Sequence, residues 1–279
     1  MNILQQSRLT KIFIIALGYT LGFSLLFPYV VMLITSLKSP SEVFSIPPTF
    51  FPVEWTFKNY IDIWNVIPLG TYLLNTIGVA VGATILALFC AIPASYVLSR
   101  LQFKGKRMYM YLVLVTQMFS PIVLLVGLYR VIHWLGLMDT IWGLILVNAA
   151  FTQAFAIWLL TGYFSTIPRE LEQAAWIDGC TRFKALRKVV LPLAVPGIIT
   201  TVIFVFVMTW NEFVVALTII SSNEAKPLTV GIYAFFGMFN IQWQYVFATS
   251  LIATVPVVLL FLSVDKYLVS GLTAGAVKD

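Results

Sequence analysis

The chain has 279 residues, of which 60% are hydrophobic and only 10% charged, with a mean hydropathy of +0.95. Soluble domains carry about 25% charged residues, so a chain this poor in charge could not cover its own surface in water; bilayer is the solvent that fits it. A net charge of +6 would suit nucleic acid, but the basic residues sit in short clusters between apolar runs, with no aromatic-interleaved basic face elsewhere, which reads as loops beside anionic lipid.

A spanning helix needs about 20 mostly apolar residues. Charge-free stretches predict six, at about 12–36, 71–98, 108–131, 142–164, 194–218 and 244–265. Arg8 and Lys11 precede the first run, which is far longer than the roughly 7–15 apolar residues of a signal peptide and is followed by no A-x-A site; a retained anchor is expected. The following loop, about 38–69, holds Pro40, Pro47, Pro48 and Pro52, which forbid continuous helix. Its Trp55, Tyr60 and Trp64 suit an interface or a partner. Gly18/Gly22 and Gly78/Gly82, small residues four apart, are candidate faces for close helix approach. Cys90 lies in an apolar run and Cys180 in a basic loop, and no Cys/His spacing fits a metal. The single histidine, His133, beside Trp134 and near Arg130, reads as an interfacial anchor. With the amino terminus inside, 13 of the 17 Lys and Arg residues fall in inner segments. Lys38, Lys58, Arg130 and Lys226 are the outer ones, so both termini are expected on the cytoplasmic side.

The segment Ile167–Pro196, between the fourth and fifth spans, is the most informative. Pro168 suits a first helical turn, and Glu170 and Glu172 complement the positive end of a helix. Leu171, Ala174, Ala175 and Asp178 fall at i, i+3, i+4 and i+7, on one face whose alanines would admit another protein's backbone. Gly179 can take positive φ and end the helix, and Thr181 can cap the next one. Pro192 and Pro196 then redirect the chain into the fifth span. The expectation is a short helix–turn–helix on the cytoplasmic side. A DNA-reading version would press its recognition helix against the bilayer, so no nucleic-acid partner is expected.

The run Glu172-Gln173-Ala174-Ala175, then Asp178-Gly179, then Leu191-Pro192, resembles the EAA loop of permease subunits in ATP-binding-cassette (ABC) importers. Leu186 stands where many relatives carry phenylalanine and keeps the apolar character. Trp210-Asn211-Glu212-Phe213 and the ending Gly271-Leu-Thr-Ala-Gly-Ala-Val-Lys278 are similar to the carbohydrate-importer branch of the maltose type. The resemblance implies an all-α integral membrane protein with the type I ABC importer permease fold and six transmembrane helices, a single permease domain over 1–279. The docking loop would be about 166–193 and the extracytoplasmic loop about 38–69. Glu172, Gln173, Ala174, Ala175, Asp178 and Gly179 would dock on the ATPase, with Leu191 and Pro192 as the exit. The implied partners are a second permease chain, expected to be a different one, two ATPase subunits, an extracytoplasmic sugar-binding protein and membrane lipid. The implied location is the inner membrane of a prokaryote.

No G-x-x-x-x-G-K-[ST] phosphate loop occurs, so ATP and Mg are expected on the ATPase, and this chain is expected to bind neither cofactor nor metal and to catalyse nothing. Polar side chains inside spans usually face the bundle interior or a cavity. Asn75, Gln117, Asn148, Gln153, Thr209, Asn211 and Glu212 are the candidates for a translocation pathway, with Trp158 and Trp210 as flat faces for a sugar. The competing reading of each is an interhelical hydrogen bond, worth about 0.6 kcal/mol. A secondary transporter would use intramembrane charges, nearly absent here, and would leave the EAA loop unexplained; a channel would need a filter motif that is not visible.

Overall fold

The structure is a computed structural model that describes the backbone of residues 8–237 and 240–274 and the side chains of 10–237 and 240–264. The carboxy-terminal motif at 271–278 therefore lies largely outside the described residues. Among the described residues the architecture is all-helical, apart from an isolated bridge between Phe236 and Ile241.

Among the described residues, four helices are long and apolar enough to cross a membrane: α1 (Arg8–Ser36), α4 (Leu69–Arg100), α7 (Ile141–Thr166) and α14 (Trp243–Ala274). Two bent pairs bring the number to six if each is one span. The helix expected over 108–131 is broken into α5 (Lys106–Thr116) and α6 (Pro121–Trp134), 98° apart. Pro121 forbids a continuous helix and pushes Ser120 to extended backbone, φ −64° and ψ 133°. Gln117 holds the corner by donating to the Phe151 carbonyl, 3.0 Å away.

The helix expected over 194–218 ends early, giving α11 (Val195–Trp210) and α12 (Val214–Ile219). Glu212 causes the break, since its carboxylate accepts from Val215 N at 2.7 Å and Ala216 N at 3.0 Å, satisfying the free amides that start α12. Before α11, the segment Arg182–Leu193 meets it at 77°, beside the expected Pro192 and Pro196. That segment comprises α9 (Arg182–Ala185), a π-turn over Leu186–Val190 and α10 (Leu191–Leu193).

The chain divides into two compact units, one of residues 1–67 and 232–254, the other of 68–231 and 255–279. In the first, the apolar window of α1 buries none of its side chains within the chain. The proline-rich loop carries α2 (Pro40–Val43) and α3 (Lys58–Val66). Asn59 on α3 donates to the Ser36 and Lys38 carbonyls, each at 2.8 Å, closing the open end of α1. Glu42 accepts from Thr49 Oγ1 at 2.7 Å and Val53 N at 2.8 Å, which holds its carboxyl below the ordinary value.

The second unit is organised around α4, α7 and α11. Ala83, Ala87 and Ala91, four apart on α4 and fully buried, pack with Ala149, Ala156, Ile157 and Leu160 of α7 and Val205 of α11. Small residues in this register let helix backbones approach closely. Of the four glycines expected to do so, only Gly82 has a packed neighbour, a Cβ there falling 2.7 Å from Ile145 Cδ1; Gly18, Gly22 and Gly78 face open space. α13 (Leu228–Ile232) and the segment after Ile219 close the other end, where Asp139 accepts from Ser221 N and Ser222 N, both at 2.9 Å. Those bonds hold the Asp139 carboxyl below its ordinary 3.8.

Candidate functional site

The segment after α7 folds as a helix–turn–helix. Helix α8 (Glu170–Ile177) has both Glu170 and Glu172 in its first turn, where the helix dipole favours them. It stops at Gly179, whose φ of +81° lies in the left-handed region that favours glycine. Gly179 N donates to the Trp176 carbonyl at 3.0 Å and Cys180 N to that of Ala175 at 2.9 Å. Thr181 Oγ1 accepts from Lys184 N at 3.3 Å and so caps α9.

The two faces of α8 differ from the single face expected. Leu171, Gln173, Ala174, Ile177 and Asp178 are exposed, as is Gly179, and Ile177 is 87% exposed. Glu172 and Ala175 instead share the inner face, at 2% and 9% exposure. The reason is a partner on α4: the Glu172 carboxylate forms an ion pair with Arg100 and accepts from the Tyr96 hydroxyl at 2.9 Å. Arg100 also donates to the Ile167 carbonyl at 3.0 Å, and Arg169 to that of Ser99 at 3.2 Å. Further along, Leu186 and Val190 pack with Tyr96, Phe164, Ile167 and Ala194. Leu191 is half-buried and Pro192 exposed at the exit.

Tyr96 and Arg100 were not legible as site residues. Their one signal is a tyrosine and an arginine at i and i+4 on the last turns of α4, which puts both on one face.

The polar residues expected to line a pathway do not all converge. Asn148, Trp210 and Glu212 meet with Thr209 and Thr229 around a cavity of about 10 Å³, room for roughly one water. Asn75 donates to the Glu224 and Lys226 carbonyls at 2.7 and 2.9 Å. Asn148 donates to its own helix at Leu144, 2.9 Å, and the exposed Asn211 to Val207, 2.8 Å. Gln153, with its amide oriented to satisfy both ends, donates to the Ala87 carbonyl at 3.2 Å and accepts from Ala91 N at 3.1 Å. Trp210 stacks on Phe206 at 5.5 Å, whereas Trp158 stays half-exposed beside Phe155. Most of this polarity is spent on helix ends and helix contacts.

Residues 83–273 match the model of the family described as binding-protein-dependent transport system inner membrane component. The chain belongs to that family. This permease is similar, at 37% identity over 94% of its length and 96% of the relative, to the inner membrane ABC transporter permease protein YcjP of Escherichia coli (strain K12). It is 35% identical, over 99% of both chains, to the trehalose/maltose transport system permease protein MalG of Thermococcus litoralis. A chain from the crystal structure of a bacterial ABC transporter involved in import of the acidic polysaccharide alginate superposes with a TM-score of 0.80 at 25% identity, covering 94% of the permease and 98% of that chain. A chain of the MetNI methionine ABC transporter shares the fold at 18% identity, with a TM-score of 0.61 over 72% of the permease and 95% of that chain. The permease is thus a non-catalytic, multi-pass inner-membrane subunit of an ABC importer, and works with a partner permease, an ATPase and a substrate-binding protein.

Proposed function

We propose that this permease forms one half of the pore of an ATP-driven, binding-protein-dependent sugar importer in a prokaryotic inner membrane. One permease domain over 1–279 crosses the bilayer six times, each bent pair counting as one span, with both termini in the cytoplasm. The 38–69 loop faces outward and the 166–193 loop inward. A second, different permease completes the pore. Two ATPase subunits bind ATP and Mg, and an extracytoplasmic sugar-binding protein delivers cargo.

The observation that carries this reading is the exposed face of α8, ended by a left-handed Gly179 and standing clear of the bundle. Leu171, Gln173, Ala174, Ile177 and Asp178 offer a small-residue centre flanked by apolar and acidic groups, suited to a groove on the ATPase. Glu172 and Ala175 serve the docking loop from its inner side, Gly179 sets the turn, and Leu191-Pro192 carries the chain back to the membrane. ATP-driven closure of the ATPase pair swings α8, and the pore alternates between inward- and outward-facing states. The sugar class rests on relatives named for trehalose, maltose and sulfoquinovosyl glycerol transport.

Asn75, Gln117, Asn148, Gln153, Trp158, Trp210, Asn211 and Glu212 remain the pathway candidates. The exposed Trp158 is the best placed to meet cargo, whereas the cavity beside Trp210 and Glu212, at about 10 Å³, is far below the roughly 300 Å³ of a small-ligand pocket and does not by itself enclose a sugar. The test is purification of the tagged permease with its co-expressed partners. An ATPase subunit should copurify, and Ile177→Arg plus Ala174→Trp on the exposed face should release it. An ATPase that stays bound to that variant would refute the docking face.

A further inference from the structure

The Glu172 carboxylate stands within the EAA motif yet lies on the inner, buried side of α8, opposite its exposed face. Its side chain is 2% exposed and that of Arg100 7%, and the two form an ion pair. The Tyr96 hydroxyl adds a hydrogen bond of 2.9 Å to the second carboxylate oxygen. Two further bonds cross the same junction in both directions, from Arg100 to the Ile167 carbonyl and from Arg169 to the Ser99 carbonyl. A buried ion pair is costly to open, because separating the partners leaves each charge without its counter-ion at a largely buried side chain. The end of α8 and the end of α4 therefore move together or not at all. α4 in turn lies along α7 and α11 through the buried Ala83-Ala87-Ala91 stripe, so it cannot shift without carrying its neighbours.

We propose that Tyr96 and Arg100 are positioning residues for transport: acting through Glu172, they tie the coupling helix to the end of α4, so that displacement of α8 passes into the α4–α7 pair. This rests on α8 being the ATPase docking helix, and it reassigns Glu172 from the docking surface to the link behind it. Arg100→Met breaks the link without touching the exposed face. Tyr96→Phe removes a single oxygen from it.

The experiment uses the full complex in proteoliposomes, measuring ATPase copurification and the number of cargo molecules moved per ATP hydrolysed. A merely destabilised permease would lower uptake and hydrolysis in proportion and leave that ratio unchanged. The expected result for Arg100→Met is retained ATPase with a ratio at least about ten-fold lower, the loss of one partner of a buried pair being a large perturbation. For Tyr96→Phe a fall of about ten-fold is expected, the lower end of the worth of one hydrogen bond to a charged group. A wild-type ratio in Arg100→Met overturns the proposal, and if that variant fails to insert, a wild-type ratio in Tyr96→Phe does so. Loss of the ATPase from Glu172→Gln places Glu172 on the docking surface and overturns the link while leaving the docking loop intact. Failure of the wild type to bind any ATPase counts against the docking reading itself.

Discussion

Substitution of Gly179 isolates the backbone contribution to docking. Its φ is +81°, and a Cβ built there has nothing within 4 Å, so any penalty comes from the left-handed conformation and not from a clash. For a residue with a Cβ that conformation costs about 1–2 kcal/mol, or about a 5–30-fold change in population. In the free permease the short α8 can relieve the strain by leaving the turn, and docking must then restore it. The strain therefore appears in the docking equilibrium. Gly179→Ala should weaken ATPase binding by up to about 5–30-fold. Gly179→Asn, which tolerates the left-handed region, should lose less, and the β-branched Gly179→Val more than Ala. Gly179→Pro should abolish docking, because proline fixes φ near −65° and removes the amide that donates to Trp176. The assay is titration of purified ATPase onto nanodisc-embedded permease, read as dissociation constants in the order Gly, Asn, Ala, Val. Equal affinities for Gly and Val would refute the reasoning.

Other predictions follow from single sites. Gly197→Ala would drive a Cβ into the Tyr163 ring, while Gly162→Ala meets nothing within 4 Å. Thermal unfolding in detergent should show the first destabilised by about 1–3 kcal/mol from overpacking and the second unchanged or stabilised by up to about 1 kcal/mol. The Asp139 carboxyl is held below 3.8 by the Ser222 and Ser221 amides. Its contribution is complete above 3.8 and lost as pH falls through the lower folded value, so Asp139→Ala should destabilise at neutral pH and the difference from wild type should shrink on acidification below about pH 4. A membrane-impermeant maleimide should label the half-exposed Cys180 only in inside-out vesicles; labelling in right-side-out vesicles would contradict a cytoplasmic 166–193 loop. Cys90, exposed on the apolar helix α4, should react slowly from either side, because an apolar surrounding disfavours the thiolate.

The long apolar helices were legible because a span's length and lack of charge are set by the bilayer alone. Helices at 69–100 and 141–166 match expectation to within two residues at each end. The bent spans were not, for reasons that are local. Pro121 lies inside the apolar run 108–131, where hydropathy alone does not register that it forces Ser120 to extended backbone. Glu212, a pathway candidate by its place in a span, also accepts from Val215 N and Ala216 N, a capping role that its spacing to them fits. At the docking loop, turn chemistry at Gly179 and Thr181 was readable from residue type. The orientation of α8 was not, because i, i+3, i+4 spacing names a face without saying which way it points. That is decided by Arg100, more than 70 positions from Glu172, whose place in the sequence marks it only as a charge at the end of a span.

The account turns on whether ATP hydrolysis in a separate subunit drives this pore. The decisive measurement is uptake of a radiolabelled sugar that the binding protein retains, into proteoliposomes holding the permease, its partner permease and the ATPase, with binding protein outside and ATP sealed within. The account predicts accumulation that requires both ATP and binding protein and persists when ion gradients are collapsed. Accumulation that continues without ATP and stops when a proton or sodium gradient is collapsed would contradict it.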